Sequence, residues 1–187
     1  MALSINDIKG GLTILVDGEV YLVIETQHVK PGKGAAFVRV KIRNLKNNSI
    51  QDKTFRGDEK IEEAFVEEKK LQYQYSSGGM FHVMDQENYE EVAIPGDVLG
   101  EKKKFLKDNI DASGYFYKNE PLNVSLPNFV EFKIVHSEPG IKGDTAKSGT
   151  KPAEIETGAT VQVPLFIDVG DVIKVDTRTG EYVERAY

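Results

Sequence analysis

The chain of 187 residues is 40% hydrophobic and 29% charged, ordinary proportions for a soluble globular protein. It contains no cysteine, which excludes disulfides, thiol nucleophiles and thiolate-based zinc sites and fits a reducing compartment. Its net charge of −6 points at first sight away from nucleic acid. No apolar run approaches the ~20 residues of a membrane span. Met1 to Gly11, which carries Asp7 and Lys9, lacks the apolar core of a signal peptide. A cytoplasmic protein without membrane association is expected.

The charge is unevenly spread. Between Lys30 and Arg56 the bases are Lys30, Lys33, Arg39, Lys41, Arg43, Lys46, Lys53 and Arg56, against the single acid Asp52. Asp58 to Glu68 is mostly acidic. Such asymmetry suggests an oriented partner, although the surface charge of a small barrel has the same composition.

Leu12 to Val16 reads as a strand, Asp17-Gly18 as a two-residue hairpin turn and Val20 to Glu25 as the returning strand. A Gly/Pro-rich loop, His28 to Ala36, follows, with Lys33 between Gly32 and Gly34. Beyond it Ala36, Val38, Val40 and Ile42 alternate with Phe37, Arg39, Lys41 and Arg43. That period of two predicts an apolar face and a basic face. After a turn at Asn47-Asn48, Ser49 to Phe55 completes a small β-barrel.

The pattern restarts near Ala64. Phe65 to Tyr75 is predicted as a strand with Leu71, Tyr73 and Tyr75 on one face, turned at Ser77-Gly78-Gly79 into Met80 to Met84, with Tyr89 to Ile94 next. Asp97 to Asp108 is the one short helix, capped by Asp97, and Lys102-Lys103-Lys104 reads as its solvated face. Tyr115 to Tyr117 and Leu122 to Leu126 close a second barrel of OB type.

Pro127 marks a boundary before a third OB-type unit: strands Phe129 to Val135, Thr160 to Ile167, Val172 to Val175 and Glu181 to Glu184. His136 to Ala153 reads as a long exposed loop, and Pro164 suits an edge strand or bulge. The fold class is therefore all-β, three small barrels over 1–64, 65–127 and 128–187.

A search for chemistry finds no catalytic set. His28, His82 and His136 lack ligand spacing, and no metal site is expected. Gly32-Lys33-Gly34 is followed by no helix, so it is not a phosphate loop. On the loop alone, Lys33 is either an exposed hairpin lysine or a cationic probe at a barrel end. Pro31 restricts φ, and the glycines permit a tight tip.

Three segments together resemble the bacterial elongation factor P family over essentially the whole chain. They are Lys30-Pro31-Gly32-Lys33-Gly34-Ala35-Ala36-Phe37 with the basic strand through Asn44; Leu71 to Tyr75 through Met84-Asp85 to Tyr89-Glu90; and Lys151-Pro152-Ala153 with Gly158, Val161 to Pro164 and Gly170. The resemblance implies an SH3-like (KOW-like) first barrel and two OB-type barrels arranged in an L that mimics tRNA. It implies a monomeric, non-enzymatic translation factor without cofactor. Such a factor binds both ribosomal subunits between the peptidyl and exit sites and relieves stalling at consecutive prolines. Lys33, on the tip loop of Lys30, Pro31, Gly32 and Gly34, would approach the acceptor end of the peptidyl-tRNA, and a dedicated enzyme extends this lysine in some members. Gly143, Asp144 and Thr145 match the loop that approaches the exit-site mRNA codon. Arg39, Lys41 and Arg43 are candidates for holding tRNA phosphate. The alternatives are a paralogue with a different stall preference and a generic OB-type RNA-binding protein, which would bind isolated RNA with a steep salt slope.

Overall fold

A computed structural model describes residues 2–32, 34–57, 59–138 and 149–186. The strands in chain order are β1 (Ala2–Leu3), β2 (Thr13–Val16), β3 (Glu19–Val29), β4 (Phe37–Asn44), β5 (Ile50–Arg56), β6 (Ile61–Glu63), β7 (Val66–Ser77), β8 (Met80–Asp85), β9 (Glu91–Pro95), β10 (Asp111–Tyr117), β11 (Glu120–Ser125), β12 (Phe129–Ser137), β13 (Thr150–Ile155), β14 (Thr160–Pro164), β15 (Val172–Asp176) and β16 (Glu181–Ala186). One short helix, α1 (Gly96–Leu99), runs into a 3₁₀ turn, Gly100–Phe105. The protein is all-β, as expected, and its strands form three sheets.

The first sheet has the order β1-β6-β2-β3-β4-β5. Asp17 and Gly18 make the predicted hairpin turn, with φ of 52° and 84°. The alternation in β4 holds: Val38, Val40 and Ile42 are at most 1% exposed, while Arg39 on the opposite face is open to solvent. Burying each of these aliphatic side chains contributes ~2 kcal/mol. They pack with Ile8, Ile14, Val23 and Phe55 into the core of this sheet.

β3 departs from the expected strand. Its register against β4 shifts between Val23 and Glu25, so Ile24 is an inserted bulge residue. Past the bulge the strand continues four residues beyond the predicted end. It pairs His28 with Val38 and Val29 with Phe37. The loop expected from His28 therefore begins at Lys30.

The second sheet has the order β11-β10-β7-β8-β9, the third β14-β13-β12-β15-β16. Each places its first strand in the middle, with the next two strands on one side and the last two on the other. This shared order is the Greek-key-like feature expected of OB-type barrels. Two stretches of like sequence, Pro95-Gly96-Asp97-Val98 and Val169-Gly170-Asp171-Val172, do not fall at equivalent places in it. The first copy sits at the end of the third strand of its sheet, and the second leads into the fourth.

Four further expectations are corrected. Asp97 does not cap the helix: Pro95 occupies the N-cap with no side-chain bond, and α1 ends at Gly100, whose φ of 56° breaks the helical path. Leu99, Phe105 and Leu106 form its buried face, all under 9% exposed. Lys102 is half-buried rather than solvated, and burial pushes its ammonium pKa down. Tyr75 is not on the face of Leu71 and Tyr73, because a bulge at Gln74 shifts the register and turns it outward. The segment from His136 to Ala153 is not all loop. β12 runs to Ser137 and β13 begins at Thr150, with Lys151 and Ala153 buried. Pro164 lies at the end of β14, an edge strand, as its missing N–H requires.

Contacts group the chain into two compact units, residues 1–69 with 114–124, and residues 70–113 with 125–187.

Candidate functional site: the tip loop and the charged face of the first sheet

The β3–β4 ribbon ends on the pair Val29 and Phe37, and the chain between them forms the tip loop. Lys30, Pro31, Gly32 and Gly34 are all exposed. Gly34 has φ of 112°, a conformation that costs any L side chain strain, so this position needs glycine. Gly32 does not adopt a positive φ, and a Cβ there would meet open space. Lys33 lies outside the described residues, as do Gly143, Asp144 and Thr145 between β12 and β13.

The outer face of β3, β4 and β5 carries a shallow groove of ≈ 560 Å³. Glu25, Thr26, Gln27, Arg39, Lys41, Asp52, Lys53 and Thr54 line it. Sequence patterning placed Arg39 and Lys41 on one face, and the structure brings both to this groove. It also brings an acid to each of the groove bases Lys41 and Lys53. Glu25 stands opposite Lys41 in the register, and its carboxylate lies 3.7 Å from the Lys41 ammonium. Lys53 is held by Asp17 at 3.0 Å. Exposed pairs of this kind contribute little stability, but they cancel charge locally. Arg39 differs. Its guanidinium lies 5.5 Å from the centre of the Phe37 ring, and among the described residues no carboxylate pairs with it. Phe37 fixes the cation without neutralising it.

Arg43 is not in the groove. Four residues along β4 it is ~13 Å from Arg39. It is half-buried, and its Nε is buried with no hydrogen-bond partner among the described residues. Next to it Asn44, 1% exposed, ties down the end of the strand. Its Nδ2 donates to Glu19 Oε2 at 2.8 Å, and its Oδ1 accepts from the backbone N–H groups of Lys46 at 2.8 Å and Asn47 at 3.2 Å. The Tyr21 hydroxyl donates to the same Glu19 oxygen at 3.1 Å.

The histidines are not brought together. His28 stands opposite Val38, His82 opposite Ala93, and His136 opposite Glu154. Among the described residues no group of His, Cys, Asp and Glu is placed to hold a metal. No helix of the described residues is long and apolar enough to cross a membrane. Glu25 is the groove residue that sequence patterning missed. Its place opposite Lys41 depends on the Ile24 bulge, which has no signature in the sequence.

A curled first sheet followed by two five-stranded sheets of like order is the architecture of a protein built from a KOW-like module and OB-type modules. Comparison with known proteins supports that class. The family model described as the elongation factor P (EF-P) KOW-like domain matches residues 4–61. The elongation factor P (EF-P) OB domain matches 66–124, and the elongation factor P C-terminal model matches 130–185. The chain is 52% identical to elongation factor P of Natranaerobius thermophilus over 96% of both chains. It is 51% identical to that of Moorella thermoacetica, over 98% of this chain and all of the other. It is therefore a translation elongation factor, and it belongs to the elongation factor P family.

Solved structures agree at the level of fold. A eukaryotic translation initiation factor 5A from Methanococcus jannaschii covers 67% of this chain and 92% of its own, at 20% identity and TM-score 0.52. An initiation factor 5A family protein from Naegleria fowleri covers 67% and 98%, at 13% identity and TM-score 0.53.

Proposed function

We propose that the protein binds the ribosome between the peptidyl and exit sites and stimulates peptide-bond formation, relieving stalls at consecutive prolines. In this reading Lys33 is presented by the 30–36 loop to the acceptor end of the peptidyl-tRNA. The observation that carries it is the loop itself: an exposed tip at the end of a paired ribbon, with its glycine-requiring turn at Gly34. The unneutralised Arg39 on the adjoining face is suited to a phosphate of the same tRNA. Gly143, Asp144 and Thr145 meet the exit-site codon, and a lysine-modifying enzyme extends Lys33. The working units are 1–64, 65–127 and 128–187, in a monomer that acts in the cytoplasm on both ribosomal subunits.

Such a factor needs no reactive group of its own. Proline is a constrained nucleophile, and holding it and the peptidyl ester in attacking geometry lowers the barrier by several kcal/mol, each ~1.4 kcal/mol being tenfold in rate. The test is a three-proline reporter translated with purified components. Lys33→Ala is expected to abolish stall relief while the circular dichroism spectrum stays unchanged. Full relief by a folded Lys33→Ala protein would sink this role.

A further inference from the structure

The bulge at Gln74 has a second effect, on the outer face of β7, β8 and β9. By alternation Tyr75 belongs in the core with Leu71 and Tyr73. The extra residue re-aims it, so that Tyr75 stands opposite His82 and is 48% exposed. Its ring stacks on the His82 imidazole, with centroids 4.3 Å apart and planes 7° from parallel. His82 covers one face of the tyrosine, and a ring left half exposed has its other face open. Beside this stack stands the Glu91 carboxylate. Its Oε1 lies 2.8 Å from His82 Nδ1, and both of its oxygens lie 3.4 Å from the Tyr75 hydroxyl that donates to them. Glu91 is itself 56% exposed, and among the described residues no lysine or arginine pairs with it.

A flat ring with one open face and a carboxylate fixed at its edge match a planar cation. A guanidinium stacks on the ring and directs two N–H groups at the carboxylate. An ammonium reaches the carboxylate but cannot stack in the same way. Met80 and Met84, both partly exposed, lie on the same face, Met84 opposite Glu91 in the register. They offer soft apolar contact on either side of the ring. The strand positions that share this face on β8 and β9 carry no lysine or arginine, so an RNA docked there would meet the Glu91 carboxylate and find neither of these cations on the two strands for its phosphates.

We propose that this face of the second sheet is a docking site for a protein partner, and that it reads an arginine flanked by apolar side chains. The guanidinium lies on Tyr75 and pairs with Glu91, while His82 backs the ring and orients the carboxylate. The partner is distinct in chemistry from the tRNA assigned to the first sheet, and the inference does not depend on that assignment.

The experiment uses the full chain with methyl-labelled methionine, read by NMR. The probe is the capped tripeptide Leu-Arg-Leu. Its controls are Leu-Lys-Leu and adenosine monophosphate. The arginine peptide is expected to shift the Met80 and Met84 methyl signals saturably, with the lysine peptide weaker by about fivefold or more. Tyr75→Leu and Glu91→Gln should each weaken the arginine peptide by a similar factor. Tyr75→Phe, which keeps the ring, should retain most of the binding and shows that the sheet remains intact. An absent or unsaturable shift, equal response to arginine and lysine, or undiminished binding by folded Tyr75→Leu would each overturn the proposal. Tighter binding of the nucleotide would overturn it in favour of RNA.

Discussion

Asn44→Ala tests whether the end of the charged strand is held by one buried amide. The substitution removes three hydrogen bonds, one to the Glu19 carboxylate and two from the Lys46 and Asn47 amides. A neutral bond of this kind contributes about 1 kcal/mol net and one to a charged group about 2 kcal/mol. Glu19, Lys46 and Asn47 are exposed, so water recovers part of that loss once the amide is gone. The expected cost is about 2 kcal/mol. Urea unfolding can follow the 8 tyrosines, since the chain has no tryptophan, with the midpoint falling and the slope unchanged. Amide hydrogen exchange supplies the local readout. Asn44→Ala should deprotect Lys46 and Asn47, whereas Asn44→Asp retains an acceptor for both and should keep them protected. The aspartate also sets a second carboxylate against Glu19, so Asn44→Asp is itself expected to cost stability. The reasoning fails if Asn44→Ala lies within about 0.5 kcal/mol of the parent, or if Asn44→Asp deprotects the two amides equally.

Gly149→Ala would place a Cβ 2.5 Å from Leu165 Cδ1 and 2.9 Å from its Cγ. The Cγ cannot swing away as a chain end can, so a loss of about 1–3 kcal/mol is expected in the same urea assay. Asp176 accepts side-chain bonds from Arg178 Nε at 2.9 Å and Nη2 at 2.6 Å, and these bonds lead the shift of its pKa from the usual 3.8 to about 2. Its folded pKa lies below the unfolded one, so the stability it lends is complete above the ordinary aspartate range and is lost as pH falls through about 2. A carboxyl-carbon NMR titration should find that low midpoint, and Arg178→Ala should raise it. On the first sheet, Arg39→Ala should reduce stall relief more than Lys41→Ala, because Lys41 is already paired with Glu25. Arg43→Ala should act on stability rather than on relief. Equal losses of relief for all three would refute this ranking.

Much of the fold is legible in the residues. The hairpin at Asp17-Gly18, the two faces of β4 and the edge position of Pro164 all follow from local stereochemistry. What escapes is governed by single extra residues and by tertiary pairing. The bulges at Ile24 and Gln74 leave composition and period almost unchanged, yet each reverses which face the following side chains take. One sets the pairing of the ribbon beneath the tip loop, and the other exposes Tyr75. β13 was hidden for a different reason. Thr150, Lys151 and Pro152 look like loop residues, and only pairing with Val163 and Gln162 of β14 makes them a strand. There Lys151 becomes 6% exposed and meets Asp168 at 3.5 Å, an ion pair that spacing alone does not suggest. The helix failed through its punctuation. Its apolar face was readable, but Gly100 stops the α-helical path after one turn.

The site was legible as a loop and a row of bases, but the row is not a uniform positive surface. Folding brings Glu25 to Lys41 and Asp17 to Lys53. It leaves Arg43 half-buried and outside the groove. Among the bases that line the groove, the unpaired charge thus narrows to Arg39, on the strand that leads directly from the tip loop. A broad basic field would attract any RNA and release many counterions on binding. One guanidinium supported by an aromatic ring, in a chain of net charge −6, favours a single geometry instead. For a factor whose proposed task is to hold a substrate in line, that is the more useful arrangement. Position then comes from the paired ribbon and the packed sheet, and the proposed phosphate contact falls to a single groove cation beside the tip loop.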